Sequence, residues 1–222
     1  LNNTTASNNT AVGYQAGYTN STGGGITTLG AYSGYSNTTA DYLTAVGYHA
    51  AQYNSTGAAN SAFGADTLQY NTTGSNNTAI GRLALSQNTT ASNNTAVGYQ
   101  SLYTNSTTSY NTAVGYQAGY TVNTTGYITA VGYGAGKLFQ GNASETFGST
   151  FVGTLSSPTT STGYDNTFIG AYSAYFNTTG TKNSTLGSGS LQNNTTGSYN
   201  TAIGEEALNK NTTASNNTAV GY

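Results

Sequence analysis

The chain contains no cysteine, no methionine, no tryptophan and a single proline, and only 5% of its 222 residues are charged. The absence of cysteine excludes disulfide bridges and thiolate metal ligands. A net charge of −2 excludes the basic surface that binds a nucleic-acid backbone, so no nucleic-acid partner is expected. No apolar run approaches the roughly 20 residues of a membrane-spanning helix, and we expect no membrane insertion.

Residues that commonly carry chemistry are also scarce. The only histidine, His49, has no second histidine with which to share a metal ion, and we interpret it as a corner residue. Glu205 and Glu206 are sequence neighbours, whose side chains usually diverge rather than form an acid–base pair. The run of three glycines at 23–25 lacks the Lys-Ser/Thr of a phosphate-binding loop, and three aspartates are too few for a calcium-binding β-roll. The sequence therefore predicts no catalytic residue, no cofactor and no metal site, and a protein that is not an enzyme.

What the chain has instead is a repeat. A glycine preceded by a large apolar residue returns after 17 residues in eleven of twelve intervals, and the interval from Gly132 to Gly153 contains four extra residues. These anchor glycines are Gly13, Gly30, Gly47, Gly64, Gly81, Gly98, Gly115, Gly132, Gly153, Gly170, Gly187, Gly204 and Gly221. A short, fixed period of this kind is the signature of a solenoid.

The columns aligned on the anchor glycines are nearly constant. The residue before the glycine is always large and apolar, Thr or Ser stands two places before that residue, and the residue between them is alanine in nine repeats. We interpret the apolar column as the buried side of a short strand, and a second run such as 100–103 as the other arm of a flattened two-strand coil. The sequence thus predicts an all-β, parallel β-solenoid of about 13 coils that forms a single domain over residues 1–222.

Two departures from this pattern affect the interpretation. Residues 3–14 return letter for letter as residues 211–222, and neither copy is an atypical capping repeat. We therefore expect the solenoid to continue beyond both ends, in a longer chain or by end-on stacking. The zone 137–161 interrupts the 17-residue repeat. It contains the four-residue insertion and also Phe139, Glu145, Phe147 and Pro158. It is either a longer surface loop or a contact point for another subunit or a ligand.

The main chemical signal is the Asn-X-Ser/Thr triplet, the acceptor of N-linked sugar, which occurs 19 times. Because a fibre with so few charges needs another source of solvation, covalent glycans would serve as a coat. The candidate glycosylation sites recur in one corner of the coil: Asn20, Asn37, Asn54, Asn71, Asn88, Asn105, Asn123, Asn177, Asn194 and Asn211. The alternative is that these asparagines serve as turn and ladder residues, and the threonines beside them are equally acceptors for O-linked sugar.

Twenty tyrosines are the second unusual feature. Six of them directly follow an anchor glycine, and another five lie together in the second run of the coil. We predict that tyrosines in neighbouring coils stack along the solenoid. The alternative is a platform for sugars or for a neighbouring strand.

The repeats NTAVGYQAG, NTAIGRLAL and NTAIGEEAL resemble the head repeats of trimeric autotransporter adhesins. They are also similar to arrays in phage tail-fibre-like and large bacterial surface proteins. The resemblance implies a left-handed parallel β-roll in an extracellular fibre, often a trimer, that is used for attachment. Thr10, Thr95 and Thr218 stand where the adhesin repeat carries an inward apolar residue.

These features predict a structural subunit of a glycosylated microbial fibril, extracellular or at the cell surface, that self-associates end-on or as a trimer. The alternative is a trimeric adhesin head or phage tail-fibre shaft, for which an apolar outer face would be the sign. Phe151 and Phe168, in the otherwise Ala/Thr column, are the hint of such a face. A minor alternative is ice binding by a threonine column: Thr5, Thr22, Thr39, Thr56, Thr73, Thr90 and Thr107.

Overall fold

A computed structural model describes residues 3–124, 126–141 and 148–222. In this part of the chain the regular elements are thirteen β-strands of three residues, and there is no helix, hence none that could cross a membrane. The strands are β1 (Thr10–Val12), β2 (Thr27–Leu29), β3 (Thr44–Val46), β4 (Ser61–Phe63), β5 (Thr78–Ile80), β6 (Thr95–Val97), β7 (Thr112–Val114), β8 (Thr129–Val131), β9 (Thr150–Val152), β10 (Thr167–Ile169), β11 (Ser184–Leu186), β12 (Thr201–Ile203) and β13 (Thr218–Val220).

The chain divides into two compact units, Leu1–Tyr110 and Asn111–Tyr222. In the first, β1 to β6 pair in parallel and in chain order, each residue opposite the one 17 positions later. In the second, β7 to β13 pair in the same way. The four extra residues between β8 and β9 leave the register intact, since Thr129 pairs with Thr150. The predicted parallel β-solenoid with a 17-residue coil is confirmed.

The anchor glycine follows from the backbone at the end of each strand. Its φ lies between 120° and 145° in every coil, a region that L-amino acids with a side chain rarely adopt. A Cβ at Gly115 would also lie 2.4 Å from the carbonyl oxygen of Gly132 in the next coil. Glycine is therefore required both by conformation and by the close stacking of coils.

The rest of each coil consists of turns, so the prediction of a second strand arm is wrong. Two and four residues after the anchor glycine the backbone is left-handed, as at Gln100 (φ 54°) and Leu102 (φ 49°). As a result, the consecutive residues Ser101 and Leu102 are both fully buried, whereas neighbours in a strand face opposite sides. The left-handed residues fold this run back on itself and direct two successive side chains inward.

The interior is narrow and is filled mainly by small and amide side chains. Alanines at the middle of the strands, such as Ala79 and Ala96, are fully buried beside leucines of the turns, such as Leu85 and Leu102. The remaining interior is occupied by two asparagine columns. The first ladder contains Asn20, Asn37, Asn54, Asn71 and Asn88 in the first unit and Asn177, Asn194 and Asn211 in the second. The second ladder contains Asn60, Asn77 and Asn94, and Asn166, Asn183, Asn200 and Asn217.

Around β9 and β10 the interior is aromatic instead. Phe151 and Phe168 replace the strand alanine, and Phe139 replaces an asparagine of the first ladder. All three are buried, with ring centroids 5.3 Å apart for Phe139 and Phe151 and 5.9 Å apart for Phe151 and Phe168. Phe151 and Phe168 therefore belong to the core, and the hint that they form an apolar outer face is wrong. In the irregular zone Pro158 is buried as well, whereas Glu145 and Phe147 lie outside the described residues.

Candidate functional site

The outer face of the strands presents an apolar row, the same column that the sequence predicts to be buried. We call the residue before each anchor glycine, together with its equivalents in the other coils, the outer aliphatic row. Leu29, Phe63 and Ile80 are 48, 41 and 42% exposed, and the row has no buried member in either unit. Its members are Val12, Leu29, Val46, Phe63, Ile80 and Val97 in the first unit, and Val114, Val131, Val152, Ile169, Leu186, Ile203 and Val220 in the second. The prediction that this column forms the core is therefore wrong.

The reversal has a steric cause. In a strand Thr-Ala-Val the threonine and the valine share one face, and the alanine occupies the other. The middle residue of the strand packs against the turn residue four places after an anchor glycine. At Gly136, for example, a Cβ would come within 2.5 Å of the ring of Phe151, which stands at the middle of β9. Around β4 to β6 that space holds a leucine with an alanine, and around β9 and β10 it holds a phenylalanine with a small residue. The larger aliphatic side chain therefore faces outward with the threonine.

The outer face has a regular geometry. Adjacent parallel strands are about 4.8 Å apart, so the six aliphatic residues of the first unit form a stripe on the order of 24 Å long. The strand threonines run beside it and are half-buried or exposed, as at Thr78 and Thr27 respectively. Neither row contains a charged residue. The row is thus apolar and uncharged, features that the cores of protein–protein interfaces also have.

The predicted glycosylation sites are placed differently from the expected exposed corner. Asn20, Asn37, Asn54, Asn71, Asn88, Asn105, Asn177 and Asn194 are all buried, and Asn211 is half-buried. Asn71 illustrates the reason: its Nδ2 donates both to Asn54 Oδ1 at 2.6 Å and to the carbonyl oxygen of Gly74 at 2.9 Å. These amides form an interior ladder, which is the alternative to glycosylation that the sequence left open for this column.

Asn123 is the exception among the predicted sites. It begins an Asn-Thr-Thr triplet as Asn71 does, but it is exposed, and the ladder position in its coil is occupied by the buried Val122. The triplet itself does not distinguish the two, since the position relative to the anchor glycine differs by one residue. A column of exposed asparagines elsewhere in the coil was not singled out from the sequence.

The tyrosine columns stack in part as predicted. Tyr116 and Tyr133, which follow anchor glycines, have ring centroids 5.1 Å apart and an interplanar angle of 8°. Tyr18 and Tyr35 in the second column are 5.5 Å apart at 4°. Such pairs stiffen the surface along the coil axis.

Few ionisable groups interact within the described residues. His49 Nδ1 lies 3.2 Å from Asp66 Oδ1 in the next coil, and the Lys182 amine lies 5.4 Å from the centre of the Tyr199 ring. The Tyr199 hydroxyl, as a hydrogen-bond partner, raises the pKa of Lys182 above its ordinary value. Glu205 and Glu206 are exposed, and the described part of the chain contains no cluster of three or more His, Asp or Glu residues.

A shallow groove lies at the turns of the last coils of the second unit. Phe176, which is exposed, forms one wall together with Lys210, and the groove encloses about 590 Å³. Thr178 and Thr195 line it, but their hydroxyls already donate to the carbonyl oxygens of Thr195 and Thr212. The groove thus offers an apolar wall and one amine, without a set of convergent polar groups.

No family model, no curated protein and no solved structure matches this chain. Its function is therefore inferred from the repeat and from the geometry of its surfaces. The resemblance of the repeats to adhesin heads and tail-fibre arrays stays a prediction.

Proposed function

We propose that the chain is the structural part of an extracellular, glycosylated microbial fibre in which several copies pack side by side through the outer aliphatic row. The observation that carries this proposal is the exposure of the row while amides and alanines fill the interior. Full burial of an aliphatic side chain contributes roughly 1.5–3 kcal/mol of favourable free energy. Lateral packing of two copies would gain part of this free energy, because it removes from water the aliphatic side chains that a single solenoid leaves exposed.

The spacing of the row favours another copy of the chain as the partner. Its side chains recur at the separation of parallel strands, and a surface that contacts all of them needs the same repeat. A second solenoid with the same coil meets this requirement over its whole length. Because the outer face has no charged residue, like charges do not oppose a pairing of identical faces.

The second candidate is a three-chain version of the same assembly, an adhesin head or a phage tail-fibre shaft. An apolar outer face is the feature that favours it, and the outer aliphatic row supplies one, although Phe151 and Phe168 do not. A closed trimer would cover the row completely, whereas an open bundle of fibres would have no fixed number of chains. The stoichiometry of the assembly therefore separates the two candidates.

Ice binding has less support. The threonine column named above lies in turns rather than on the flat strand face. Hydroxyls of the adjacent column, such as Thr38 and Thr72, already donate to the carbonyl oxygens of the next coil, at 3.0 Å and 2.9 Å. On the strand face the second row varies from valine to phenylalanine, which breaks the regular array that an ice surface requires. Thermal hysteresis of the purified chain would be the measurement in its favour.

The proposal is tested by removing the apolar character of the row. In the triple variant Leu29→Thr, Phe63→Thr and Ile80→Thr, we expect association between chains to weaken at least about a hundredfold, because aliphatic burial is lost. Analytical ultracentrifugation over a range of concentrations measures this, and native mass spectrometry of the parent chain counts the copies.

A matched control replaces two exposed tyrosines outside the row, Tyr53→Thr and Tyr70→Thr, and should leave association unchanged. Circular dichroism checks that both variants keep the fold. A parent chain that stays monomeric at high concentration, or a triple variant that associates as the parent does, would contradict the proposal.

A further inference from the structure

Four exposed asparagines occupy one turn position outside the candidate glycosylation column. We call Asn8, Asn76, Asn93 and Asn216 the turn asparagines; each stands two residues before a strand and begins an Asn-Asn-Thr triplet. All four are left-handed, with φ between 58° and 62°, and all four are exposed. Asparagine tolerates this conformation better than most residues.

The two asparagines of each triplet differ in the burial and the hydrogen bonding of their side chains. Asn77, the second residue, is buried, and its Nδ2 donates to the carbonyl oxygen of Ala91 at 2.9 Å. Asn76, the first residue, is held by its backbone, whose N–H donates to the carbonyl oxygen of Ala58 at 3.0 Å. The Asn76 side chain makes no hydrogen bond to the described residues. The turn is therefore fixed without the amide that a sugar would modify.

A sugar at a ladder position meets the opposite situation. Asn71 is fully buried and uses its Nδ2 for two hydrogen bonds, so a glycan there would remove a donor and would have no space. Leaving a buried amide partner unsatisfied costs about 1–3 kcal/mol before any steric term. A chain modified at this position would not close its coils.

We propose that the turn asparagines, represented by Asn76 and Asn93, carry the N-linked glycans of the folded protein, in place of the ladder asparagines. The inference rests on the proposed function, because it requires exposure to an extracytoplasmic glycosylation machinery. The donor is a lipid diphosphate-linked oligosaccharide. The Asn Nδ2 bonds to the anomeric carbon, the bond from that carbon to the diphosphate oxygen breaks, and the lipid diphosphate leaves while one amide proton passes to a base of the transferase.

The test is secretion of the full chain from a glycosylating eukaryotic host, followed by site mapping of the soluble, protease-resistant fraction by mass spectrometry. We expect glycans at Asn76 and Asn93 and none at Asn71 or Asn88. The double variant Asn76→Asp and Asn93→Asp should lose modification at both positions and keep the fold. Aspartate suits this turn, since Asp165 occupies the equivalent position with φ 55°.

The matched control deletes two ladder triplets without touching the ladder, by Thr73→Ala and Thr90→Ala at exposed positions. It should leave the glycan pattern unchanged. Sugar at Asn71 or Asn88 in folded material, or unmodified Asn76 and Asn93, would overturn the inference. The association assay is done on chain from a host that adds no glycans, so a failure of this inference and a failure of the fibre proposal are separately visible.

Discussion

The interior of the coils at β4 to β6 differs from the interior at β9 and β10. In the first region a buried alanine of each strand faces a leucine of the turns, and the two asparagine ladders run alongside. In the second, Phe151 and Phe168 take the place of the alanine, and the turn residues are small, such as Ser157 and Ala174. The comparison teaches that the coil conserves the volume of its interior and not the identity of the residues that fill it.

The two regions also treat hydrogen bonds differently. From Asn37 to Asn88 each amide donates to the one in the preceding coil, at distances from 2.6 to 3.1 Å. Near the aromatic region the ladder ends on hydroxyl groups: Thr160 accepts from Asn177 at 3.3 Å and also contacts Ser157 Oγ. In the second unit a hydroxyl thus takes over the last member of the ladder, whereas in the first unit Asn88 Oδ1 is buried without a hydrogen-bond partner among the described residues.

The largest expected effect comes from converting one kind of interior into the other. Phe151→Ala should destabilise the second unit by about 3–5 kcal/mol, because it leaves a cavity where a fully buried ring was. Adding Gly136→Leu should recover a large part of that loss, since the leucine fills the space of the removed ring. Leucine occurs at this turn position with φ near that of Gly136 (55°), for example Leu68 at 50°.

Urea unfolding of the two single variants and the double variant measures the coupling free energy between Phe151→Ala and Gly136→Leu. Gly136→Leu alone should be destabilising, because its Cβ would lie 2.5 Å from the Phe151 ring. Additive effects of the two substitutions would contradict conservation of interior volume.

An intermediate effect is expected from breaking the amide ladder. Asn71→Ala should cost about 1–3 kcal/mol, because it leaves Asn54 Oδ1 and Asn88 Nδ2 each without one hydrogen-bond partner. Asn123→Ala, in the same Asn-Thr-Thr triplet but exposed, should change the free energy of unfolding by less than about 0.5 kcal/mol. Equal losses in the two variants, measured by urea unfolding, would show that the ladder does not stabilise the coils.

The smallest effect is expected at the surface, outside either kind of interior. Tyr199→Phe removes the hydroxyl that raises the pKa of Lys182 and should move that pKa down toward its ordinary value. Since the folded pKa is the higher one, any stability from this contact is present below the ordinary lysine pKa and is lost as the pH rises through the folded value. NMR titration of the Lys182 side chain measures the shift; an unchanged pKa in Tyr199→Phe would assign it to another cause.

Much of the fold was readable from the sequence, whereas its surfaces were not. The 17-residue spacing of the anchor glycines predicted parallel, in-register coils, because only a stack repeats one backbone conformation at a fixed interval. The second arm was misread as a strand, since the left-handed φ of residues such as Gln100 and Leu102 leaves no mark in composition. The candidate glycosylation column was misplaced for a related reason: Asn71 and Asn123 have the same local sequence, and only the register of the coil buries one of them.

The sequence by itself determined the period, the glycine at each strand end, the parallel pairing and the fact that the strand threonine and aliphatic residue share a face. Successive side chains of an extended chain point to opposite faces, and this alternation does not depend on what packs against the strand. Which face points inward was decided only by the tertiary structure. The turns bring leucines and two amide ladders into a narrow interior, in which nine strands place an alanine, two a threonine and β9 and β10 a phenylalanine beside small turn residues. Packing volume, and not hydrophobicity, therefore placed the valine, isoleucine and leucine side chains of the strands on the outside.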